Sequence, residues 1–250
     1  MSLTHEFQEG FSSRGAVESV LAIRTKNGSH HVASALVRDT QPDVLGSGNL
    51  GVTVSLSRNK TLFEDGDSAD YSYRVISGAV RLCKLLPDGR RQISDFCLPG
   101  DTFGFVAEEA YTLTAEAVED TVLVRYSRQL VGEACKSVPG ASERVLAELL
   151  RELSSAKSHL IMLGRQTARE RIASFLLMLL DRQPTDKYCD DRIYLPMGRQ
   201  DIADYLGLTI ETVSRAISEL RRSGLIRALS TREILIRDVD ALSEISSGNA

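Results

Sequence analysis

Glu211, Ser214 and Arg215 stand at i, i+3 and i+4 in a segment with helical periodicity, and Ser218 and Arg222 extend the same face at i+7 and i+11. These side-chain types suit one chemistry in particular, the reading of nucleobase edges. Arg can donate two parallel hydrogen bonds to guanine, and Glu can accept from the exocyclic amine of cytosine. Placing both in the first turn and a half suits a helix that meets the DNA major groove with its N-terminal end. Ile210, just ahead, lies on the 210/213/217/220 apolar stripe, which points to the core. At the first helical position it could instead touch a thymine methyl. The plainer alternative for the whole face is a solvated surface on an ordinary helical hairpin.

What must position these residues is a helix-turn-helix over 199–218. Ala203 is small where two helices would cross, and Gly207 sits at the turn, where a positive φ is often needed. Ile202, Leu206, Leu208 and Val213 supply the apolar wedge, and Thr209 is a good N-cap for the second helix. Val213, Ala216, Ile217 and Leu220 recur at helical spacing and are expected to face inward. Arg199, Thr209, Ser218, Arg221, Arg222 and Arg232 are the candidates for contacts to the DNA backbone, which fix position without reading sequence.

Upstream, the pattern divides the chain. Residues 1–45 form a polar N-terminal extension of unassigned role. From 46 to 135, short β-prone runs alternate with turn signals: Val52–Leu56, Tyr71–Ile76, Ala79–Leu86, Gln92–Cys97, Tyr111–Ala117 and Thr121–Tyr126. That spacing predicts a β-roll or jelly roll, with Pro87-Asp88-Gly89 as a hairpin tip. A helix follows over 142–164, within a segment 136–164. Leu146, Leu149, Leu153, Ala156, Leu160 and Leu163 step by three and four along it, an a/d seam for pairing with a second copy. The plainer reading packs that face on its own domain. Residues 165–250 carry a helix opened by a Thr167-x-x-Glu170 capping box and ended by Pro184. A strand at Ile193–Met197, the helix-turn-helix and a β-wing of Leu225–Leu229 and Glu233–Arg237 complete a winged helix. The fold class is α+β.

Charge follows the same division. The net charge is −4, but residues 165–237 hold 13 Lys and Arg against 10 Asp and Glu, while the remainder holds 17 against 24. A weakly basic reader on an acidic body is compatible with specific DNA binding and modest non-specific affinity. No stretch approaches the ~20 apolar residues that cross a bilayer, and Met1–Arg24 lacks a secretory pattern, so the expected location is cytoplasmic. Cys83, Cys97, Cys135 and Cys189 form no C-x-x-C pair, which argues against a zinc knuckle or a disulfide framework. Cys83 and Cys97 read as core filler. Cys189, in a polar loop before the reader, is the candidate redox thiol, although Asp190 and Asp191 disfavour its thiolate. His30-His31 without supporting ligands reads as solvated loop. No metal or other cofactor is expected.

A β-roll, a pairing helix and a C-terminal winged helix together resemble the CRP/FNR family of bacterial transcription regulators. The resemblance is strongest in Gly207-Leu208-Thr209-Ile210-Glu211-Thr212-Val213-Ser214-Arg215, with Pro99-Gly100-Asp101-x-Phe103-Gly104 and Gly66-Asp67 before Gly78 similar to the family's roll. It implies that Glu211, Ser214 and Arg215 read a TTGA-type half-site in a palindrome resembling TTGAT-N4-ATCAA, bound by a homodimer. RNA polymerase is the implied protein partner, with Asp88 and Arg90 at the exposed hairpin tip as candidate contacts. The family's cAMP-binding members carry Gly-Glu-Leu followed by Arg-Ser-Ala or Arg-Thr-Ala. Here the stretches read Gly104-Phe105-Val106 and Thr114-Ala115-Glu116-Ala117, so the phosphate-binding Arg is absent and Glu116 would repel a phosphate. No cAMP response is expected. The N-terminal cysteines that hold an oxygen-sensing cluster in FNR are missing too. What remains resembles the FixK branch, which implies activation of microaerobic, nitrogen-fixation or denitrification genes. Two alternatives stand beside it: a regulator gated by an unidentified ligand in the roll, and, from another class, a cupin-like metalloenzyme. The second lacks the clustered histidines it would need, since no His occurs between His31 and His159.

Overall fold

The computed structural model describes residues 51–182 and 191–248. The expected N-terminal extension, His30-His31 and Cys189 lie outside the described residues.

Eight strands build the roll: β1 (Val52–Leu56), β2 (Thr61–Phe63), β3 (Tyr71–Ser77), β4 (Val80–Leu85), β5 (Arg91–Cys97), β6 (Thr102–Phe103), β7 (Thr114–Ala117) and β8 (Thr121–Ser127). They form two antiparallel four-stranded sheets, β1-β8-β3-β6 and β2-β7-β4-β5. Period-two alternation sends Val54, Val75, Val80, Leu82 and Leu123 between the sheets. Four aromatic rings fill the rest: Phe63 stacks on Tyr111 at 3.7 Å between centroids, and Tyr73 on Phe103 at 5.5 Å. Gly78 turns the chain from β3 to β4 at φ +83°, and a Cβ there would come within 2.5 Å of the Asp120 carbonyl. Only glycine fits that turn.

The β4–β5 ribbon carries a bulge. Leu82 pairs with Asp95, but Cys83 pairs with Ile93, so Ser94 is an extra residue in β5, and its Oγ donates to the Leu82 carbonyl at 3.2 Å. The outer side of the ribbon presents Cys83, Ile93 and Phe96, which belong to the same buried cluster as the core of the C-terminal region.

Ser127 caps α1 (Arg128–Ser137), its hydroxyl accepting from the Leu130 amide at 3.2 Å. The expected helix over 142–164 runs as α2 (Ala141–Arg165), about 37 Å long at 1.5 Å per residue. The Thr167 capping box forms, with reciprocal bonds of 3.0 and 3.4 Å to Glu170, and opens α3 (Ala168–Arg182). Then follow β9 (Arg192–Tyr194), α4 (Arg199–Leu206), α5 (Ile210–Arg222), β10 (Ile226–Ala228), β11 (Glu233–Ile236) and α6 (Val239–Ser246). The sheet β10-β11-β9 is the wing. Helix α6, absent from the sequence expectation, buries Leu242 and Ile245 and packs on α3. Among the described residues, no helix is long and apolar enough to cross a membrane.

Candidate nucleic-acid interface

Helix α5 begins at a side-chain cap. Thr209 Oγ1 accepts from the Thr212 amide at 3.2 Å, which satisfies one of the orphan donors of the first turn. The preceding turn closes at Gly207, φ +62°, whose amide donates to the Ala203 carbonyl as α4 ends. Ala203 is fully buried, as are Ile202, Leu206, Val213 and Leu220, so the two helices cross on the small residue and wedge that the sequence predicts. Val213, Ala216, Ile217 and Leu220 are the buried face of α5.

The opposite face is open. Glu211, Ser214 and Arg215 are all exposed, together with Arg221 and Arg222 in the last turn, and Ser218 is half-buried. Ile210 is 37% exposed. It is therefore not buried in the core, and it stands exposed at the start of α5. Hydrogen bonds from its own backbone amide and from the Thr209 side chain hold the Glu211 carboxyl below the usual carboxylate range, and Arg215 adds to this. The carboxylate is thus kept as an ionised acceptor beside a guanidinium donor.

The cations expected to grip phosphates fall into two groups. Arg221 and Arg222 project freely from α5. Arg199, at the first position of α4, is half-buried, its Nη1 has no hydrogen-bond partner, and burial lowers its pKa. Arg232 is held within the protein. Its Nη1 donates to Tyr194 Oη at 3.1 Å and lies 3.5 Å from Glu119 of the roll, while Tyr194 Oη donates to the same carboxylate at 2.8 Å. Two cations that the sequence reading did not single out, Arg192 on β9 and Arg227 on β10, are exposed on the wing. The signal was there: Ile193 and Ile226 beside them are buried, so alternation turns the arginines outward.

Away from α5, the seam of α2 is an apolar row facing solvent. Leu146, Leu149, Leu153 and Leu160 are exposed, as is Ala156, while Leu163 is half-buried. Leu163 lies beside the Gly207 turn, where its Cδ2 would be 3.6 Å from an added Cβ. Leu150 and Ile161 widen the row beyond the predicted stripe. At the roll's hairpin tip, Asp88 and Arg90 pair with each other at 2.7 Å and stand well exposed, next to Leu85 at 71% exposure.

A cavity of about 600 Å³ lies between the roll, α2 and α3. Its lining includes five carboxylates, Asp95, Asp101, Glu148, Glu152 and Asp181, against two guanidiniums, Arg151 and Arg182. Arg182 closes on Asp101 and reaches Asp95 at 3.4 Å. Glu116, expected to repel a phosphate, is not part of that lining. It faces Arg81 on the outer side of the roll, 2.8 Å away. Cys83 sits beside it, and burial pushes its thiol up to about 11.

Comparison with known proteins matches residues 53–137 to the cyclic nucleotide-binding domain model and residues 170–245 to the Crp-like helix-turn-helix domain model. The chain is 46% identical to the nitrogen fixation regulation protein FixK of Azorhizobium caulinodans over 79% of its length and 80% of the relative's. It is 42% identical to the FixK protein of Rhizobium meliloti over 74% and 83%. The solved structure of FixK2 from Bradyrhizobium japonicum superposes with a TM-score of 0.74 at 38% identity, covering 79% of this chain and 98% of that one.

Proposed function

The chain belongs to the CRP/FNR family of transcription regulators, DNA-binding proteins and not enzymes, and from that premise we propose a FixK-type activator of nitrogen-fixation or microaerobic genes. Two copies pair along α2 and set their α5 helices into successive major grooves of a TTGAT-N4-ATCAA-like palindrome. Glu211, Ser214 and Arg215 read bases, and Ile210 meets a thymine methyl. Arg199, Arg221 and Arg222 hold phosphates, assisted by the Thr209 and Ser218 hydroxyls. The roll's Asp88–Arg90 tip is the proposed polymerase contact. One observation carries this reading: an acid, a hydroxyl and a guanidinium exposed together on the leading turns of a capped helix whose other face is fully buried.

The second reading, a regulator gated by a small ligand, draws on the cavity between the roll and the helices. Its excess of carboxylates disfavours an anionic nucleotide. A titration of purified, effector-free protein onto the palindrome separates the two. Binding at nanomolar concentration, lost on a scrambled duplex, supports constitutive action, whereas binding that appears only with added cell extract supports gating. Equal binding to both duplexes would overturn the sequence-specific reading.

A further inference from the structure

Five charged side chains meet where the outer side of the β4–β5 ribbon touches α4, and the bonds that cross from ribbon to helix join residues at least 110 apart in the chain. Asp201 is buried, and its Oδ1 accepts from Arg81 Nη1 at 3.1 Å and from Arg91 Nη2 at 2.5 Å. Asp204 Oδ2 accepts from Arg91 Nε at 2.9 Å and lies 2.8 Å from Arg91 Nη2. Glu116 on β7 holds Arg81 from behind and lies 3.8 Å from Arg91. Each guanidinium therefore bridges the roll to the first helix of the DNA reader. Beneath them, Tyr205 of α4 lies 5.3 Å from Phe96 of β5, 5.7 Å from Phe175 of α3 and, stacked, 4.0 Å from His159 of α2. His159 Nε2 donates to the Tyr205 carbonyl at 2.9 Å.

Asp201 and Asp204 stand at i and i+3, on one side of α4, while Ile202, Ala203 and Leu206 face α5. None of the five charged groups lies on α5. Buried or half-buried charges that lose a partner are costly, so a guanidinium shared among three carboxylates tolerates little sliding of the two surfaces. Only Gly207, Leu208 and Thr209 separate α4 from α5, and both ends of that turn are hydrogen-bonded. The orientation of α4 is therefore passed to α5.

We propose that Arg81 and Arg91 are positioning residues for DNA reading: from the roll they clasp Asp201 and Asp204 and so set the angle at which α5 meets the groove. The inference rests on α5 being the reading helix. It assigns to the roll a part in operator affinity that needs neither a ligand nor a DNA contact.

The test uses the full chain and fluorescence anisotropy on a TTGAT-N4-ATCAA duplex and on a scrambled duplex. Arg91→Glu should weaken palindrome binding about tenfold or more, the range of coupling seen between residues in one ion-pair network, with a much smaller change on the scrambled duplex. The exchange Arg91→Glu/Asp204→Arg has the native net charge and restores that one pair while Asp201 and Glu116 still face a carboxylate, so it should recover part of the loss. Asp204→Asn removes one bonded charge without adding repulsion and should fall between. Circular dichroism and thermal melting establish that each variant is folded. Native affinity for the palindrome in a folded Arg91→Glu chain overturns the proposal, as does an exchange variant that binds no better than Arg91→Glu. Should Arg91→Glu fail to fold, unchanged palindrome affinity in Asp204→Asn overturns it alone. A native chain that binds both duplexes alike overturns the reading helix itself, and the positioning role with it.

Discussion

Leu160→Glu should break the proposed pairing of two copies while leaving each copy folded. Leu160 is 72% exposed in the protomer, so the fold loses little, within about 0.5 kcal/mol for a surface site. In a pair, the same side chain would be covered. Burying a whole leucine is worth about 1.5–3 kcal/mol, so covering the part still exposed is worth about 1–2 kcal/mol per copy. A two-fold interface counts each residue twice, which gives about 2–4 kcal/mol, or roughly 30-fold to 1,000-fold in the dissociation constant. Two opposed carboxylates would add repulsion, so this is a lower bound. Sedimentation equilibrium measures the shift directly. Anisotropy on a palindrome and on a single half-site should show the variant losing its preference for the palindrome. A Leu160→Glu protein that sediments as a dimer with the native dissociation constant would refute the reasoning and place the pairing surface elsewhere.

Arg215→Ala should cost about 1–3 kcal/mol per half-site and relax the preference at one base pair; a titration with all four bases at each position checks it, and an intact preference would remove Arg215 from base reading. Arg221→Ala should weaken all sequences alike and lower the slope of log affinity against log salt by about one per copy, so an unchanged slope argues against a phosphate contact. Cys83, with its thiol raised to about 11, and Cys97, raised well above the usual thiol value by burial, should resist alkylation at pH 7 in the folded protein; mass spectrometry showing either modified before the half-buried Cys135 would contradict this. Because the pKa of Glu211 is lowered in the folded chain, its contribution to stability is present above the unfolded value of about 4.3 and is lost only as pH falls through the lower folded value. Preference at its base pair should therefore stay constant from pH 8 to pH 5, and an operator titration with a step near pH 6 that Glu211→Gln abolishes would refute the assignment.

The reader was legible because each of its constraints is local. Thr209, Gly207 and Ala203 act within four residues of their partners, and a 3.6-residue period separates the buried and open faces of α5. The apolar row on α2 was legible for the same reason. Short elements with weak apolar faces were not. Helix α1 fully buries only Ala134, and β2 and β6 have three and two residues, too few for a period to show. The contacts between the roll and the reader could not be read at all. Arg81 and Arg91 carried no sequence signal of a role, Glu116 was read only against a phosphate, and nothing in their neighbourhood in the chain points to Asp201 or Asp204. Arg232 was assigned to DNA on charge alone, and its partner Glu119 is 113 residues away.

Ser94 has a consequence out of proportion to its size. Along β5, Cys97 and Asp95 point one way and Phe96 the other; strict alternation would then send Ile93 and Arg91 into the roll's interior. The extra residue reverses the parity, so Phe96, Ile93 and Arg91 emerge on a single side of the ribbon. Giving Ser94 a regular place in the ladder would be a frameshift written in side-chain direction: three strand positions would exchange inside for outside, an arginine would enter the aromatic interior, and the roll would present the reader with a surface bearing neither its apolar patch nor its charge.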